Sequence, residues 1–364
     1  MNHKQVESQK IGLLAPEIFT VGGVQTYMRL LLQVLNNLVE KGYSAFYISV
    51  NDSPRKVSQQ KNVEGFTAGH SKIMFLLLTL KNARNAKYIL VGHIGQAPVA
   101  WLLKKLRMIS NYAVILHGIE AWERLPIVKR IALRGAKDII ATTHYTAEIC
   151  AAKNDLSTKN VTIIPLCVDA LVVQPSDLKL NGEFKILCVG RQAKTENGKG
   201  YHMLIDAMTH LIEEFPGVHL NFVGQGDGQQ RLIQISRELG LVNYITFWGC
   251  LSDEDLQAAY KSCSVFVMPS KKEGFGIVFL EAMRWGKPCI GGNHGGTPEV
   301  IQDGKSGFLI DFDDVSMLVK RLQQFITNPK LREGFGCAGA ELVKTKYSFK
   351  SFNNEFRRLL CETC

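Results

Sequence analysis

Residues 271–281 read KKEGFGIVFLE, a stretch in which two carboxylates, Glu273 and Glu281, stand eight positions apart. The apolar run Val265–Met268 before it predicts a short buried strand. Two glycines after Glu273 predict a turn with backbone angles that few other residues adopt. The apolar stretch that follows predicts a helix, with Glu281 about two turns along it.

This pattern predicts a particular kind of ligand. The first amides of a helix have no partners within the helix and its dipole is positive there, so a helix N-terminus attracts phosphates. Ionised carboxylates such as Glu273 and Glu281 accept hydrogen bonds from hydroxyl groups. A ligand that carries both phosphates and hydroxyl groups is therefore indicated, and a nucleotide sugar fits that description.

Further motifs occur in a recognisable order. Gly22 and Gly23 follow the first predicted strand, His117-Gly118 follows a later one, and Gly190-Arg191 and Lys199-Gly200 open the second half of the chain. With the E-x7-E element, this set resembles the retaining glycosyltransferases of the GT-B fold, of the family 4 (glycosyl transferases group 1) type. Several matches in order over nearly the whole chain are more specific than one motif.

The resemblance implies roles for four charged residues. Arg191 and Lys199 would hold the donor diphosphate and neutralise it as it leaves, which removes the need for a metal ion. The loop Gln192–Gly198 between them is longer than in many relatives, so Lys194 is a competitor for the role of Lys199. The resemblance places Glu273 at the hydroxyls of the donor sugar and Glu281 at those of the ribose.

His117 would lie over the donor sugar and stabilise positive charge at the anomeric carbon. Without the family context, a lone histidine after a strand is more often structural, and Glu120 is a candidate to orient it. The amides of Gly274–Gly276 would meet sugar and phosphates, and Cys250 and Leu251 would shape the nucleobase pocket. The donor-binding residues implied, besides Glu281, are Gly22, Gly23, Gly274, Phe275, Gly276, Cys250, Leu251 and Thr297.

The alternation of strand and helix patterns predicts an α/β protein with two Rossmann-like domains, which in the GT-B fold face each other across a cleft. Residues 1–170 would form an N-terminal acceptor-binding domain and 171–184 a linker. Residues 185–345 would form the nucleotide-sugar domain, and 346–364 a terminal helix that crosses back to the first domain.

Charge is distributed unevenly along the chain. Residues 1–170 contain 21 Lys and Arg against 11 Asp and Glu, whereas 171–364 contain 22 of each, so the net charge of +10 belongs to the first half. No nucleic-acid motif accompanies this charge. The stretch Trp101–Met108 has apolar and basic residues at helical spacing, which favours peripheral contact with an anionic membrane. A helix packed on the sheet with a solvated basic edge is the alternative.

Composition narrows the other possibilities. Nine cysteines without paired spacing in the body of the chain argue against a disulfide framework, and Cys361 and Cys364 form only a terminal C-x-x-C. The polar start and the absence of a long apolar run predict a cytoplasmic protein, with the inner face of the membrane as a further site. Asp253–Asp255 suit a first helical turn, so we expect no metal and no cofactor besides the donor.

The sequence therefore predicts a retaining, metal-independent glycosyltransferase with a nucleotide-sugar donor and a saccharide or lipid-linked acceptor, as in surface polysaccharide biosynthesis. Two alternatives stay open. A nucleotide-sugar epimerase of the same fold would act on the donor alone. A non-catalytic subunit that binds sugar nucleotides would tolerate the loss of Glu273 and His117.

Overall fold

A computed structural model of the chain describes residues 9–58, 62–168 and 173–362. The chain divides into two compact units, Met1–Leu166 with Phe349–Cys364, and Cys167–Ser348. Each unit contains a parallel sheet with helices packed on it, so the predicted fold class of two Rossmann-like domains is confirmed. Three parts of the chain used in the predictions lie outside the described residues. They are the polar start 1–8, residues 169–172 at the predicted domain boundary and linker, and Cys364 of the terminal pair.

The first unit is built on a parallel sheet of seven strands among its described residues. The strands are β1 (Lys10–Ala15), β2 (Ser44–Ser49), β3 (Glu64–Thr67), β4 (Ala86–Val91), β5 (Ile109–Leu116), β6 (Asp138–Ala141) and β7 (Val161–Ile163). The helices are α1 (Gly23–Val39), α2 (Pro54–Ser58), α3 (Lys72–Asn82), α4 (Ala97–Lys105), α5 (Ile127–Arg134) and α6 (His144–Asn154). The strand order is β3-β2-β1-β4-β5-β6-β7. Continuous apolar runs predict the central strands because both faces of a parallel sheet are buried.

The second unit repeats this plan, with six strands in the part that the structure describes. They are β8 (Phe184–Val189), β9 (Val218–Val223), β10 (Ile245–Phe247), β11 (Val265–Met268), β12 (Cys289–Gly292) and β13 (Gly307–Ile310), in the order β10-β9-β8-β11-β12-β13. The helices are α7 (Tyr201–Glu214), α8 (Gln229–Glu238), α9 (Asp253–Ser262), α10 (Ile277–Arg284), α11 (Thr297–Val300), α12 (Val315–Thr327) and α13 (Pro329–Thr345). The sequence patterns did not indicate the edge strands β3 and β13, which have four residues each.

The last helix, α14 (Phe349–Glu362), packs in the first unit. Tyr27 of α1 contacts the rings of Phe352 and Phe356 at centroid distances of 5.2 and 6.1 Å. Both phenylalanines are buried. The aromatic residues that predict this helix are therefore the ones that attach it to α1.

The described part of the predicted linker, residues 173–184, is packed on the second unit. Ser176 donates its hydroxyl to Asp255 at 2.6 Å, and the amide of Asn181 donates to Asn221 at 3.2 Å. Leu180 is buried. These residues therefore contact the first turn of α9 and the middle of β9.

Two helix predictions need correction. The helix predicted over Trp101–Met108 is α4, which ends at Lys105, because Leu106 forms its cap and Arg107 has φ 56°. The helix after the glycine turn begins only at Ile277, so Glu281 lies just over one turn along α10 rather than two. The two-turn prediction counts the residues between Glu273 and Ile277 as helical, whereas they form the glycine turn.

Candidate active site

Strand order brings the predicted diphosphate and sugar residues of the second unit together. Strands β8 and β11 are neighbours in the sheet, so the loops after their carboxyl ends lie side by side. The loop after β8 contains Arg191 and Lys199, and the loop after β11 contains Glu273. Ligands of open parallel sheets bind at this edge of the sheet.

The glycine turn before α10 has the backbone that the sequence predicts. Gly276 has φ 87° and is the N-cap of α10. A Cβ atom at this position would lie 2.6 Å from the ring of Phe279. Two reasons therefore favour glycine at position 276: the backbone has a left-handed angle, and the ring of Phe279 leaves no room for a Cβ atom. No side chain caps this helix end, which leaves its first turn open to a ligand.

Glu273 is held by the loop after β12. Its carbonyl oxygen accepts a hydrogen bond from the amide of Gly296 at 2.7 Å. A Cβ atom on Gly295, which has φ 64°, would lie 2.4 Å from the same oxygen. The Gly295-Gly296 pair therefore supports the backbone of Glu273. Thr297 is a predicted donor-binding residue. Its hydroxyl is fully buried and has no described hydrogen-bond partner, so contact of this hydroxyl with the donor would require the loop to open.

Lys199 and Glu273 form an ion pair. The Lys199 Nζ donates to Glu273 Oε2 at 2.7 Å, and the two side chains are only 21% and 16% exposed. Burial alone would lower the pKa of Lys199, but attraction to Glu273, the hydrogen bond with it and attraction to Glu196 raise that pKa above its usual value. Lys199 is therefore a fixed cation beside Glu273.

Gly200 explains how Lys199 reaches this position. It has φ 74°, and a Cβ atom there would lie 2.5 Å from the carbonyl oxygen of Pro269. The chain at Lys199 thus lies against the loop after β11. The competing residue, Lys194, has an exposed side chain, and its backbone amide is bound by Asp227 at 2.8 Å. The structure thus places Lys199, rather than Lys194, beside Glu273.

Arg191 is paired within its own loop. Its Nε donates to Glu196 Oε1 at 2.8 Å, and a terminal nitrogen of the guanidinium donates to the same oxygen. The side chain of Arg191 is 74% exposed. The guanidinium is therefore accessible to a ligand, but a carboxylate that the sequence analysis did not single out already contacts it.

Glu281 is oriented by a residue that the sequence analysis missed. The hydroxyl of Tyr260, on α9, donates to Glu281 Oε2 at 2.7 Å, and Tyr260 is fully buried. Burial raises the pKa of this tyrosine well above its usual value, and the charge of Glu281 raises it further. Tyr260 is therefore a permanent donor to this carboxylate. No local pattern marks it, because the contact joins α9 to α10.

We expect Tyr260→Phe to weaken donor binding without slowing the chemical step. Loss of one hydrogen bond to a carboxylate should raise the donor KM about threefold to tenfold, with kcat changed by less than about twofold. Steady-state kinetics with the donor varied would measure both constants. Tyr244→Phe, at a half-buried tyrosine of the same unit, is the matched control. An unchanged KM would show that Tyr260 does not position Glu281 for the donor.

The loops after β8, β9 and β10 meet at the predicted nucleobase pocket. Gly224 has φ 122°, and a Cβ atom there would lie 2.1 Å from the carbonyl oxygen of Gly190. The amide of Gly224 donates to the carbonyl of Gly249 at 2.7 Å. Cys250 beside it is exposed and Leu251 is half-buried. Cys250 and Leu251 therefore follow the residue, Gly249, that binds the loop after β9, and their contact with a nucleobase stays a prediction.

In the first unit, His117 is a buried neutral base. Its Nε2 lies 2.7 Å from the carbonyl oxygen of Gly92, which can only accept, so Nε2 carries the proton. Burial lowers the pKa of this histidine more than Glu120 and the Gly92 hydrogen bond raise it. Glu120 accepts from the backbone amide of His117 at 2.6 Å. Glu120 therefore fixes the backbone after β5 rather than the imidazole.

The Gly22-Gly23 loop is fixed by a buried acid that the sequence analysis also missed. Asp52 accepts hydrogen bonds from the amides of Ile18 and Phe19 at 2.8 and 3.1 Å. Gly22 has φ 151° and is the uncapped N-cap of α1. A Cβ atom at Gly23 would contact nothing within 4 Å. Packing therefore does not require glycine at position 23, and the space beside this helix end is open.

No group of three or more His, Cys, Asp or Glu side chains among the described residues is arranged to hold a metal ion. No disulfide joins any two of the eight described cysteines. A membrane-crossing helix would need a longer apolar segment than any helix in the described part of the chain provides.

Comparisons with known proteins identify the family that the chain resembles. The family model of glycosyl transferases group 1 matches residues 174–342. A GDP-mannose-dependent alpha-(1-6)-phosphatidylinositol monomannoside mannosyltransferase of Mycobacterium tuberculosis is 26% identical over 69% of this chain and 70% of its own. Spore coat protein SA of Bacillus subtilis is 25% identical over 90% and 92%.

Solved structures share the fold. Anabaena Alr3699/HepE in complex with UDP and glucose superposes with a TM-score of 0.80 at 20% identity, covering 97% of this chain and 100% of its own. Sucrose-phosphate synthase of Thermosynechococcus elongatus gives a TM-score of 0.80 at 20% identity, covering 97% and 98%. The resemblance that the motifs predict is confirmed.

Proposed function

We propose that this chain, whose residues 174–342 match the glycosyl transferases group 1 family, transfers a sugar from a nucleotide-sugar donor to a saccharide or lipid-linked acceptor. The observation that carries this proposal is the Lys199–Glu273 ion pair beside the uncapped start of α10. A cation for phosphate, a carboxylate for hydroxyls and an uncapped helix start are thus held at one sheet edge. The names of the mannosyltransferase relatives support a nucleotide-sugar donor.

In this proposal, the cations of the second unit bind the diphosphate and its carboxylates bind hydroxyl groups. Arg191 and Lys199 neutralise the diphosphate as its bond to the anomeric carbon breaks, which lowers the barrier because the charge develops next to fixed cations. Glu273 accepts hydrogen bonds from the sugar hydroxyls. Glu281, held by Tyr260, accepts them from the ribose. The roles of His117, Gly22 and Gly23 in the first unit stay predictions.

We also propose that transfer proceeds with retention and without a metal ion. The cationic pair supplies the charge that a divalent ion would otherwise provide. In the scheme that the family resemblance suggests, the departing phosphate itself takes the proton of the acceptor hydroxyl on the same face of the sugar.

A thermal-shift panel of UDP-, GDP- and ADP-sugars tests donor binding. A donor at about 100 times its dissociation constant should add roughly 2.7 kcal/mol of stability. The stabilising donor is then incubated with and without EDTA and a saccharide acceptor, and the product is analysed for anomeric configuration. Stabilisation by none of the three would refute the proposal. An epimer formed from donor alone would favour the epimerase.

Exposed apolar side chains on two adjacent helices of the first unit support peripheral membrane contact. Helix α5 exposes Ile127, Val128 and Ile131, and it packs against α4, which exposes Leu102. The ammonium of Lys104 is held by the carbonyl of Gly135 at 3.1 Å, so part of the basic edge is packed on the unit. Apolar groups flanked by basic residues suit an anionic lipid surface.

Vesicle co-sedimentation checks this contact. The protein should sediment with phosphatidylglycerol vesicles and much less with phosphatidylcholine vesicles. The double variant Ile127→Ser, Ile131→Ser should bind about tenfold more weakly, because two exposed apolar side chains no longer enter the interface. Val242→Ser, at an exposed valine of the second unit, serves as control. Equal binding by the double variant and the wild type would refute the contact.

A further inference from the structure

The charge of Glu196 acts on both cations of the proposed diphosphate site. It accepts two hydrogen bonds from the guanidinium of Arg191, and its charge also raises the pKa of Lys199. Its side chain is 21% exposed, whereas that of Arg191 is 74% exposed. A carboxylate of the protein thus already binds the guanidinium that an anionic ligand would use.

The two cations of the proposed site are already neutralised by carboxylates of the protein. Arg191 and Lys199 are already matched by Glu196 and Glu273. A pyrophosphate diester carries a negative charge on each phosphoryl group, and the released nucleoside diphosphate gains more on its terminal phosphate. If Glu196 stayed on Arg191, a diphosphate would be repelled by it. If it turned away, the diphosphate would take over its hydrogen bonds.

The loop allows the side chain to turn while the backbone stays in place. Asp227 accepts from the amide of Lys194 at 2.8 Å, and the carbonyl of Gly198 accepts from the amide of Lys271 at 2.7 Å. Both ends of the segment around Glu196 are therefore fixed to the second unit. Displacement of the carboxylate requires only rotation about its side-chain bonds.

We propose that Glu196 is a built-in competitor of the donor diphosphate: it holds Arg191, is displaced when the diphosphate binds, and returns as the nucleoside diphosphate product leaves. This inference rests on the proposed function of the same site. Glu196 therefore weakens the binding of both donor and product, and it weakens that of the product more because the product carries more negative charge. The residue thereby limits product inhibition.

Calorimetric titration of Glu196→Gln with UDP, GDP and ADP tests the proposal. The nucleotide that binds the wild type should bind the variant about threefold to tenfold more tightly, as expected for removal of a partly exposed competing charge. The corresponding nucleoside, which lacks phosphates, should bind both proteins equally. The gain should shrink between about 0.05 and 0.5 M salt, because salt screens the interaction.

Two further variants make the test specific. Glu213→Gln removes the same charge at the far end of α7 and should leave the affinity unchanged. Glu196→Ala should tighten binding as Glu196→Gln does, with melting temperatures reported for both. Unchanged or weaker diphosphate binding by folded Glu196 variants would overturn the inference alone. Failure of the wild type and of both variants to bind any nucleoside diphosphate or sugar nucleotide would overturn the proposed function with it.

Discussion

Replacing Glu273 by glutamine should lower kcat about 100- to 1000-fold while the dissociation constant of the donor changes by less than about tenfold. The carboxylate faces the ammonium of Lys199 at 2.7 Å and lies beside the start of α10. Its charge helps most when positive charge develops on the sugar, so its loss should affect the transition state more than the bound donor. Initial rates and calorimetry on the same preparations separate the two effects.

The side-chain amide introduced by Glu273→Gln can still accept a hydrogen bond from Lys199 through its oxygen, so the fold should survive with a loss of about 1–2 kcal/mol. Glu213→Gln is the matched control for charge alone. If Glu273→Gln kept more than about a third of the wild-type kcat, Glu273 would be a structural partner of Lys199, and its assignment to the donor sugar would be wrong.

The second large effect is expected for Lys199→Met. Methionine has a similar length but no charge, so the diphosphate loses its least exposed cation. The donor should bind about 30- to 100-fold more weakly, which corresponds to roughly 2–3 kcal/mol. The variant should also be less stable, because Glu273 then keeps a charge without the ammonium that neutralised it.

A double-mutant cycle distinguishes a structural ion pair from a working site. The double variant Lys199→Met, Glu273→Gln should recover about 1–3 kcal/mol of stability relative to the sum of the single losses, because no isolated charge remains. Its activity should stay at or below that of the weaker single variant. Recovery of activity together with stability would show that the pair only holds the two loops together.

The local sequence was sufficient to predict the elements that carry the site. The prediction of Val265–Met268 as a strand agrees with β11 to the residue. Buried strands appear as apolar runs, and glycines mark backbone angles that side chains disfavour, as at Gly276. The edge strand β3 was missed because none of its four residues is buried, so it gives no apolar run. The edge strand β13 was also missed, although three of its four residues are buried.

Several residues of the site have no local pattern that identifies them. Tyr260 is 21 positions from Glu281, and Asp52 is 34 positions from the amide of Ile18 that it binds. Neither residue is rare, and their neighbours in the sequence give no sign of these contacts, which form only when the chain folds. Glu196 lay within the loop that the sequence analysis considered, but only the structure shows that its carboxylate contacts Arg191.

The amino-acid sequence by itself determined the two parallel sheets, the glycine turn before α10 and the types of charged residue available at the sheet edge, since these follow from burial patterns and backbone requirements of neighbouring residues. Tertiary structure decided which charges meet. Lys199 and Glu273 are 74 positions apart and form a pair because β8 and β11 are adjacent strands, an order that long-range packing sets.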